Sequence, residues 1–334
     1  MNTMLKSVKY LLKLALFVAT LASSASALPK ADLTTVPTGT VKPFKDGDII
    51  AFLGDSITCG GQYHKYIYNY WVTRYPNTKI RYVNKGIYSD FASGGIARLE
   101  SDVLLENPNK VFINYGMNDS GASWRQDLYS MENPDQAVLD KRRKLYGDYK
   151  NNMSKLISLL QEKGKEAGLI GPSIYDETAK LTKANHLGAN GGIQACVERL
   201  KDLAKKDSLD FVDFNEPMLA VNKLIQAQDA SRTIVGGDRV HPQSTGHYLM
   251  ASIFLKAQAC SSIVAHVIID VKKRTLKKGV RADVKNIKST RDALSFTYCP
   301  KALPLPVNDE YTKASAIVDL TREFNRELIT VKGL

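Results

Sequence analysis

Apolar and polar positions along the chain alternate between two kinds of pattern. Short apolar runs bounded by turn-forming residues predict five strands, at residues 48–53, 79–83, 111–115, 167–171 and 209–214. Between them, apolar positions recur at helical spacing, which predicts helices at residues 63–74, 95–105, 144–163 and 193–205 and a last helix at 244–259. Strands that alternate with helices in this way predict an α/β domain, in which helices cover both faces of a parallel sheet.

The two flanks of this predicted domain, which covers residues 45–262, have different patterns. Residues 28–44 form a leader that contains proline and threonine. After residue 262 come a strand-like run at 264–271, a basic stretch, a second strand-like run at 294–298, a proline-rich stretch at 300–306 and a charged, helix-like stretch at 314–328. We find no catalytic pattern there and interpret residues 263–334 as a C-terminal extension packed against the main domain, or as the start of a small accessory domain.

The first residues have the composition of a secretory signal peptide. Lys6, Lys9 and Lys13 lead into an apolar run at residues 14–21, and small residues at 25–27 supply a cleavage site. The apolar run is too short to cross a bilayer comfortably. We therefore expect residues 1–27 to be removed and the mature protein to be secreted or periplasmic, with no membrane-spanning segment.

Charge adds little to this picture. Loss of residues 1–27 removes three lysines and no acids, which lowers the formal net charge from +12 to +9. The densest basic group is Lys272, Lys273 and Arg274 with Lys277 and Lys278. No nucleic-acid-binding module or row of stacking aromatic residues accompanies it, so nucleic acid is not expected as a partner. A solvated surface is the simplest interpretation, and attraction to acidic polymers is the alternative.

The four cysteines, Cys59, Cys196, Cys260 and Cys299, lie far apart and form no CxxC pair. Their spacing therefore does not predict a metal site. An oxidising compartment permits up to two disulfides among them, and buried free thiols are equally compatible with the sequence.

Residues with catalytic chemistry follow the predicted strands. The first strand ends in AFLGDSITCGG, residues 51–61, which places Ser56 among turn-forming residues. VNKGIYSDFASGG, residues 83–95, follows the second strand, and NYGMND, residues 114–119, follows the third. GGDRVHPQSTGH, residues 236–247, leads into the last helix. Functional residues of parallel α/β folds gather beyond the carboxyl ends of the strands, so we expect these four segments to meet at one edge.

Three of these segments resemble the sequence blocks of the SGNH hydrolases, the superfamily of GDSL-type lipases and esterases. Residues 54–57 read GDSI, residues 116–119 match the GxND block, and residues 238–241 match the DxxH block, all in the family order. The resemblance implies a flavodoxin-like three-layer αβα sandwich. It also implies an ester-cleaving serine enzyme that uses no metal and no organic cofactor.

The residue types fit this chemistry on physical grounds. A serine hydroxyl is a weak nucleophile without a neighbouring base, and His241 can take its proton because imidazole titrates near neutrality. Asp238, three residues earlier, can accept the other ring N–H and fix the tautomer. We therefore predict that Ser56, Asp238 and His241 are catalytic; a structural cap on the following helix is the alternative for His241.

Attack on an ester carbonyl places negative charge on its oxygen, so hydrogen-bond donors must already face that position. The backbone N–H of Ser56 and the side-chain amide of Asn118 are two candidates. The third donor of the family is a glycine N–H in an N-x-G-x-x-G pattern; aligned on Asn84 and Gly86, this glycine is Ser89 here. Ser89 keeps an N–H, but a positive φ would strain it. Gly86 and Ser89 are therefore both oxyanion-hole candidates.

The substrate prediction rests on less specific features. His64, Tyr115 and Trp124 are candidates for substrate binding, with Tyr115, Trp124 and Tyr129 as an aromatic wall for a sugar ring, and packing is the alternative for each. Arg98 is interpreted as part of a solvated face or a local ion pair. Relatives with a signal peptide and similar blocks often deacetylate carbohydrates, so we expect removal of small acyl groups, acetyl first, from an acylated carbohydrate. A lipolytic esterase or lysophospholipase, and a glycan-binding protein with decayed catalysis, are the alternatives.

Overall fold

The structure is a computed structural model that describes residues 30–333. The predicted signal peptide at residues 1–27 lies outside the described residues. Five parallel strands form the central sheet: β1 (Ile49–Gly54), β2 (Arg81–Gly86), β3 (Lys110–Asn114), β4 (Glu166–Gly171) and β5 (Asp210–Asp213). Their order is β2-β1-β3-β4-β5, which is the flavodoxin-like order and confirms the predicted fold class.

Helices cover both faces of this sheet: α1 (Ser56–Cys59), α2 (Tyr63–Arg74), α3 (Ala92–Ala97), α4 (Gln126–Tyr129), α5 (Gln136–Glu162), α6 (Ala189–Asp207), α7 (Asn215–Gln226) and α8 (Ser244–Ala257). Two clusters of buried side chains pack between the sheet and the helices, one on each face of the sheet. Phe52 packs with residues of α2, α7 and α8, and Leu53 packs with residues of α3, α5 and α6. Because neighbouring strand residues face opposite sides of a sheet, the unbroken apolar run of β1 contributes to both cores.

Three of the differences between the observed and the predicted helices have a clear local cause. Helix α7 was not predicted, because it begins one residue after β5 and the two apolar segments run together in the sequence. Helix α5 begins at Gln136 rather than at residue 144, because Asp135 caps it by accepting the N–H of Val138 at 2.8 Å. Helix α3 ends at Ala97, and a π-helical turn (Leu99–Val103) and a 3-10 turn (Leu104–Glu106) complete the segment predicted as one helix.

The C-terminal extension contains two small sheets. Strands β6 (Ile263–Asp270) and β7 (Thr275–Val280) pair in the antiparallel sense, and β8 (Ala282–Ser289) pairs with β9 (Leu294–Pro300) in the same sense. Side chains from both pairs share a separate small core, which includes Val267 and Val284.

The prediction of a helix over residues 314–328 is wrong. Two short helices, α9 (Asp309–Ser315) and α10 (Leu320–Phe324), are followed by a strand, β10 (Arg326–Lys332). Asp319 starts the second helix by accepting the N–H of Arg322 at 3.1 Å. A run of β-branched residues then favours a strand, which pairs with β6 in the parallel sense.

Both flanking segments contribute to the main core. Arg74, at the end of α2, is 1% exposed and donates hydrogen bonds to the carbonyl oxygens of Ser261 and Phe324. Tyr311 from α9 and Val41 from the leader belong to the same buried cluster as α8. The extension is therefore held against the helices of the main domain by buried contacts.

The thiols of Cys59, Cys196, Cys260 and Cys299 are free, so the structure contains neither of the two disulfides that the sequence permits. Within residues 30–333, no helix is both long and apolar enough to span a bilayer.

Candidate active site

Ser56 is the first residue of α1, directly after the carboxyl end of β1. Asp55 caps this helix, since its side chain accepts a backbone N–H of the first turn at 2.9 Å. The turn requires Gly54, because a Cβ there would lie 2.4 Å from the Thr58 hydroxyl oxygen and 2.5 Å from the carbonyl oxygen of Asn114. Glycine thus lets α1 and β3 approach β1 closely and places Ser56 at the edge of the sheet.

Ser56, His241 and Asp238 form a continuous chain of hydrogen bonds. The Ser56 hydroxyl oxygen lies 2.8 Å from His241 Nε2, although 185 positions separate the two residues. On the other side of the ring, His241 Nδ1 lies 2.5 Å from Asp238 Oδ2. When Nδ1 donates to this carboxylate, Nε2 is free to accept the serine proton. The structure therefore brings the three residues into the arrangement that a serine hydrolase requires.

Hydrogen bonds hold the Asp238 carboxylate in its ionised form. Partial burial raises the pKa of Asp238, but donation from the His241 ring and from the backbone N–H groups of Val240 and His241 outweighs burial, and the pKa is lowered. Both backbone N–H groups lie 3.0 Å from Oδ1. An ionised carboxylate favours a proton on Nδ1 and is suited to stabilise an imidazolium.

Arg239 fixes the loop that carries Asp238 and His241, and the sequence analysis missed it. Its backbone has φ = +71°, a left-handed conformation that costs about 1 kcal/mol or more outside glycine. Its buried guanidinium donates to the carbonyl oxygens of Asp176, Ala179 and Lys183 at 2.9–3.0 Å. These three bonds tie the loop to the segment after β4 and offset the strain. The signal in the sequence was an arginine, with its long cationic side chain, between Asp238 and His241.

Asn118 lies in the loop after β3, and its amide is oriented by two neighbours. Its Nδ2 donates to the backbone carbonyl of Asp90 at 2.9 Å, and its Oδ1 accepts the Ser123 hydroxyl at 3.0 Å. One amide N–H thus remains for a substrate oxygen. The backbone N–H of Ser56 is also unpaired within the described part of the chain, as expected for the first residue of a helix.

The two remaining oxyanion-hole candidates differ. The Gly86 N–H donates to the side chain of Asn84 at 2.9 Å, so the prediction that it faces the oxyanion is wrong. Gly86 is needed for space, since a Cβ would lie 2.1 Å from the backbone nitrogen of Cys59. Ser89 has φ = +58°, in the left-handed region that favours glycine, and its N–H has no partner among residues 30–333. Ser89 is therefore the better third donor.

Two of the three predicted substrate-binding residues are buried, so those predictions are wrong. Tyr115 is 0% exposed, because Gly95 leaves room for its ring below α3. Tyr129, the third ring of the predicted aromatic wall, is also 0% exposed. His64 is also buried: a ring nitrogen bonds the Thr58 carbonyl at 3.1 Å, and burial lowers its pKa to about 4. Trp124 is 51% exposed, and its indole N–H donates to the Asn118 carbonyl at 3.0 Å.

Tyr88 is a second exposed aromatic residue at this edge, and the sequence analysis missed it. It is 68% exposed and precedes Ser89 directly. Its hydroxyl would lie 3.3 Å from a Cβ added at Gly60, which places the ring beside the end of α1. Trp124, in the loop after β3 that also carries Asn118, contacts Phe91 edge to face with ring centroids 6.2 Å apart. Two exposed rings therefore lie next to two of the three candidate donors, Ser89 and Asn118.

Two buried acids hold the loops. Asp119 accepts the backbone N–H groups of Ala92 at 3.0 Å and Gly116 at 3.1 Å, which ties α3 to the loop after β3. Burial raises the pKa of Asp119 to about 6 and that of Asp55 to about 7.

In the described part of the chain, no group of three His, Cys, Asp or Glu side chains could hold a metal ion.

Comparison with known proteins identifies the class. The GDSL-like lipase/acylhydrolase family matches residues 52–249, which is more than half of the chain and includes every residue of the triad. The chain belongs to this family and has the SGNH hydrolase fold. It is a carboxylic ester hydrolase.

Individual relatives are consistent with this class. An acetylxylan esterase from Geobacillus stearothermophilus is 28% identical over 227 residues, which are 63% of this chain and 93% of that protein. The crystal structure of Axe2, an acetylxylan esterase from the same organism, is 25% identical with a TM-score of 0.50, and the match covers 65% of this chain and 96% of that one.

A gut microbial diltiazem-metabolizing enzyme is similar over more of the chain. It is 34% identical with a TM-score of 0.78, and the match covers 87% of this chain and 67% of that one. A match of this length is longer than residues 1–262, so it includes part of the C-terminal extension.

Proposed function

We propose that the protein hydrolyses small acyl esters, acetyl esters first, on carbohydrates, through a serine acyl-enzyme. The observation that carries the mechanism is the 2.8 Å contact between the Ser56 hydroxyl and His241 Nε2, with Asp238 on the opposite side of the ring. The observations that favour a carbohydrate are the exposed rings of Tyr88 and Trp124, which lie beside the end of α1 and the Asn118 loop, and the likeness to acetylxylan esterases.

The first half of the reaction forms the acyl-enzyme. Ser56 Oγ attacks the ester carbonyl carbon while its proton passes to His241 Nε2. The carbonyl oxygen becomes an oxyanion that accepts hydrogen bonds from the N–H groups of Ser56 and Ser89 and from the Asn118 amide. The bond to the sugar oxygen then breaks, and this oxygen takes the proton from His241. The sugar leaves with a free hydroxyl, and the acyl group stays on Ser56.

In the second half of the reaction, a water molecule takes the place of the sugar hydroxyl and attacks the acyl-enzyme. His241 takes a proton from the water as its oxygen attacks the acyl carbon, and the same three donors hold the new oxyanion. Collapse breaks the bond to Ser56 Oγ, which recovers its proton from His241. Acetate is released, and the ionised Asp238 stabilises the imidazolium in both halves.

Aromatic rings with exposed faces suit a sugar, because the C–H face of a pyranose is apolar and its hydroxyl groups point outward. Tyr88 and Trp124 present such faces at the edge where Ser56 stands. A polymer needs an open site of this kind, and the side chains of Asp238 and His241 are almost half exposed. These features favour a short acyl group on a large, polar alcohol over a long acyl chain.

The experiment that tests the proposal compares acyl length and alcohol. Rates are measured on p-nitrophenyl acetate, butyrate and octanoate, and acetate release is measured from acetylated xylo-oligosaccharides. We expect the acetate ester to be hydrolysed fastest and the acetylated oligosaccharide to be a substrate. A strong preference for octanoate would instead favour a lipolytic esterase of the same family.

The alternative of a decayed, glycan-binding protein depends on the serine at position 89. Ser89→Gly keeps the N–H in the same conformation, so we expect it to leave kcat within a few-fold of the wild type. Binding of glycan without acetate release, with Ser56→Ala indistinguishable from the wild type, would support the decayed alternative.

We also propose that the mature protein acts outside the cytoplasm. The support is the charge and apolar pattern of residues 1–27. Cell fractionation followed by N-terminal sequencing tests this proposal, with a mature N-terminus near residue 28 in the periplasm or medium as the expected result. Full-length protein in the cytoplasmic fraction would contradict it.

A further inference from the structure

A buried ion pair lies directly below the loop that carries Ser89. The Asp90 and Arg98 side chains are 11% and 13% exposed. Arg98 donates to Asp90 Oδ2 from Nε at 3.0 Å and from Nη2 at 2.9 Å. The Tyr115 hydroxyl donates to the same oxygen at 2.7 Å. Three donors therefore converge on one carboxylate oxygen, and none of them belongs to the triad.

The chain around this ion pair is shaped to accommodate it. A Cβ at Gly94 would lie 1.9 Å from Asp90 Oδ1, and a Cβ at Gly95 would lie 2.8 Å from the Tyr115 ring. Both positions must be glycine for the carboxylate and the ring to sit below α3. The sequence interpretation of Arg98 as a solvated side chain is therefore wrong, and its alternative, a local ion pair, is what the structure contains.

Asp90 connects the ion pair to two candidate oxyanion donors. Its backbone carbonyl accepts the Asn118 amide at 2.9 Å, and its backbone nitrogen is joined by the peptide bond to Ser89. Arg98 also donates to the Lys85 carbonyl at 2.7 Å, at the end of β2 where this loop begins. A shift of Asp90 would therefore move the Ser89 N–H and the Asn118 amide together.

We propose that Arg98 and Tyr115 are positioning residues that hold Asp90 and thereby aim the Ser89 N–H and the Asn118 amide at the oxyanion. This inference rests on the proposed serine mechanism but not on the identity of the alcohol. Donors aimed at an oxyanion act in the transition state more than on the bound ester. Loss of the support should therefore lower kcat while KM changes little.

The test uses Arg98→Gln and Tyr115→Phe, with Arg81→Gln as the matched control. Arg81 also forms an ion pair at β2, with Glu106 at 2.9 Å, but its side chain is 50% exposed, and its side-chain hydrogen bonds within residues 30–333 go to Glu106. On p-nitrophenyl acetate we expect kcat to fall about 10- to 100-fold in Arg98→Gln, because small misplacements of catalytic groups cost about this much. Tyr115→Phe should lose about 3- to 10-fold, and the control should lose less than 2-fold.

A double-mutant cycle with Asn118→Ala separates positioning from general loss of structure. Asn118→Ala alone should lower kcat about 10²- to 10³-fold. If Arg98 acts through the Asn118 amide, adding Arg98→Gln to Asn118→Ala should cost clearly less than Arg98→Gln costs alone. Binding of phenylboronic acid, which forms a tetrahedral adduct with an active serine, should weaken in parallel with kcat.

Two results would overturn the inference. One is unchanged kcat in both folded variants, judged by circular dichroism. The other is strictly additive losses in the cycle, with boronate affinity unaffected. Failure of the proposed carbohydrate substrate would give a different result. A wild-type protein that cleaves p-nitrophenyl acetate but no acetylated sugar would still allow the variants to be compared on p-nitrophenyl acetate.

Discussion

Gly86 lies against the backbone of Cys59 so closely that a Cβ at position 86 would stand 2.1 Å from the Cys59 nitrogen. This contact joins the end of β2 to the short helix that begins at Ser56. The glycine thus determines how near the loop that carries Ser89 comes to Ser56, although the glycine N–H itself is bonded to the Asn84 side chain. The first glycine of the N-x-G-x-x-G pattern therefore acts through the space it leaves for α1.

Gly86→Ala tests this relationship. The added methyl group meets backbone atoms that cannot rotate away, so α1 or the loop must shift, and we expect a destabilisation of about 2 kcal/mol or more with kcat reduced at least 10-fold. Gly147→Ala is the matched control, because Gly147 lies within α5 and a Cβ there has no atom within 4 Å. The control should gain up to about 1 kcal/mol. Urea unfolding and kcat on p-nitrophenyl acetate give both quantities, and equal behaviour of the two variants would contradict the account.

Asp238→Asn tests the orienting carboxylate. The amide has nearly the same shape but cannot stabilise the imidazolium, and it favours the wrong ring tautomer, so kcat should fall about 10³- to 10⁴-fold with little change in KM. Stopped assays on p-nitrophenyl acetate measure this loss. A decrease of less than 10-fold would mean that Asp238 has no catalytic part. Asp127→Asn, at an exposed ion pair with Arg125, is the control and should be silent.

Tyr88→Ala and Trp124→Ala test the carbohydrate assignment. Each removes an exposed ring beside the proposed oxyanion hole, so each should raise KM for an acetylated oligosaccharide about 2- to 10-fold. KM for p-nitrophenyl acetate should stay within 2-fold, since this ester has no sugar ring to stack. Equal effects on both substrates would show that the rings position the loops and do not bind sugar.

His247→Phe tests a pH dependence of stability. Burial lowers the pKa of His247 to about 4, with smaller contributions from His64 and His241. The unfolded chain binds a proton at His247 near pH 6.5, whereas the folded chain binds it only near pH 4. The contribution of the neutral His247 ring to the free energy of unfolding is therefore complete above pH 6.5 and is lost as the pH falls toward 4. The loss is at most about 1.4 kcal/mol per pH unit for one such group.

The informative quantity is the difference between the two proteins. The raised pKa values of Asp55 and Asp119 act in the opposite sense, since these groups favour the folded state at lower pH. Free energies of unfolding in urea at pH 7.0, 6.0 and 5.0 should therefore fall more steeply in the wild type than in His247→Phe. Parallel lines for the two proteins would contradict the prediction.

Much of the fold and the triad followed from the sequence, because both depend on local patterns. The apolar runs of β1, β3 and β4 are buried strands whatever surrounds them, and parallel topology sends Ser56 and the Asn118 loop to one edge. The DxxH block then needed only the fold to bring His241 to Ser56. These residues could be named without knowing a single distance.

The remaining site residues depend on which way a side chain turns, and sequence spacing does not contain that information. Tyr115 follows β3 directly, yet it points inward because Gly95 leaves space below α3. Tyr88 precedes Ser89 in a loop, where neither a period of 2 nor one of 3.6 applies. Arg98 has the spacing of an exposed helical residue, and only the buried Asp90 carboxylate explains its position.

The C-terminal extension shows the same limit of sequence patterns in predicting secondary structure. Residues 326–332 combine a short β-branched run with charged residues that continue the pattern of α10, and their strand forms where the edge of β6 is open for pairing. Such pairing joins positions more than sixty residues apart, and a local reading cannot include it.

The central claim is that Ser56 is a nucleophile activated by His241. Labelling with a fluorophosphonate probe, followed by peptide mapping, measures this most directly. The account predicts a single label on Ser56, no label in Ser56→Ala, and labelling slowed by orders of magnitude in His241→Gln. A label on another residue, or ester hydrolysis that persists in Ser56→Ala, would contradict it.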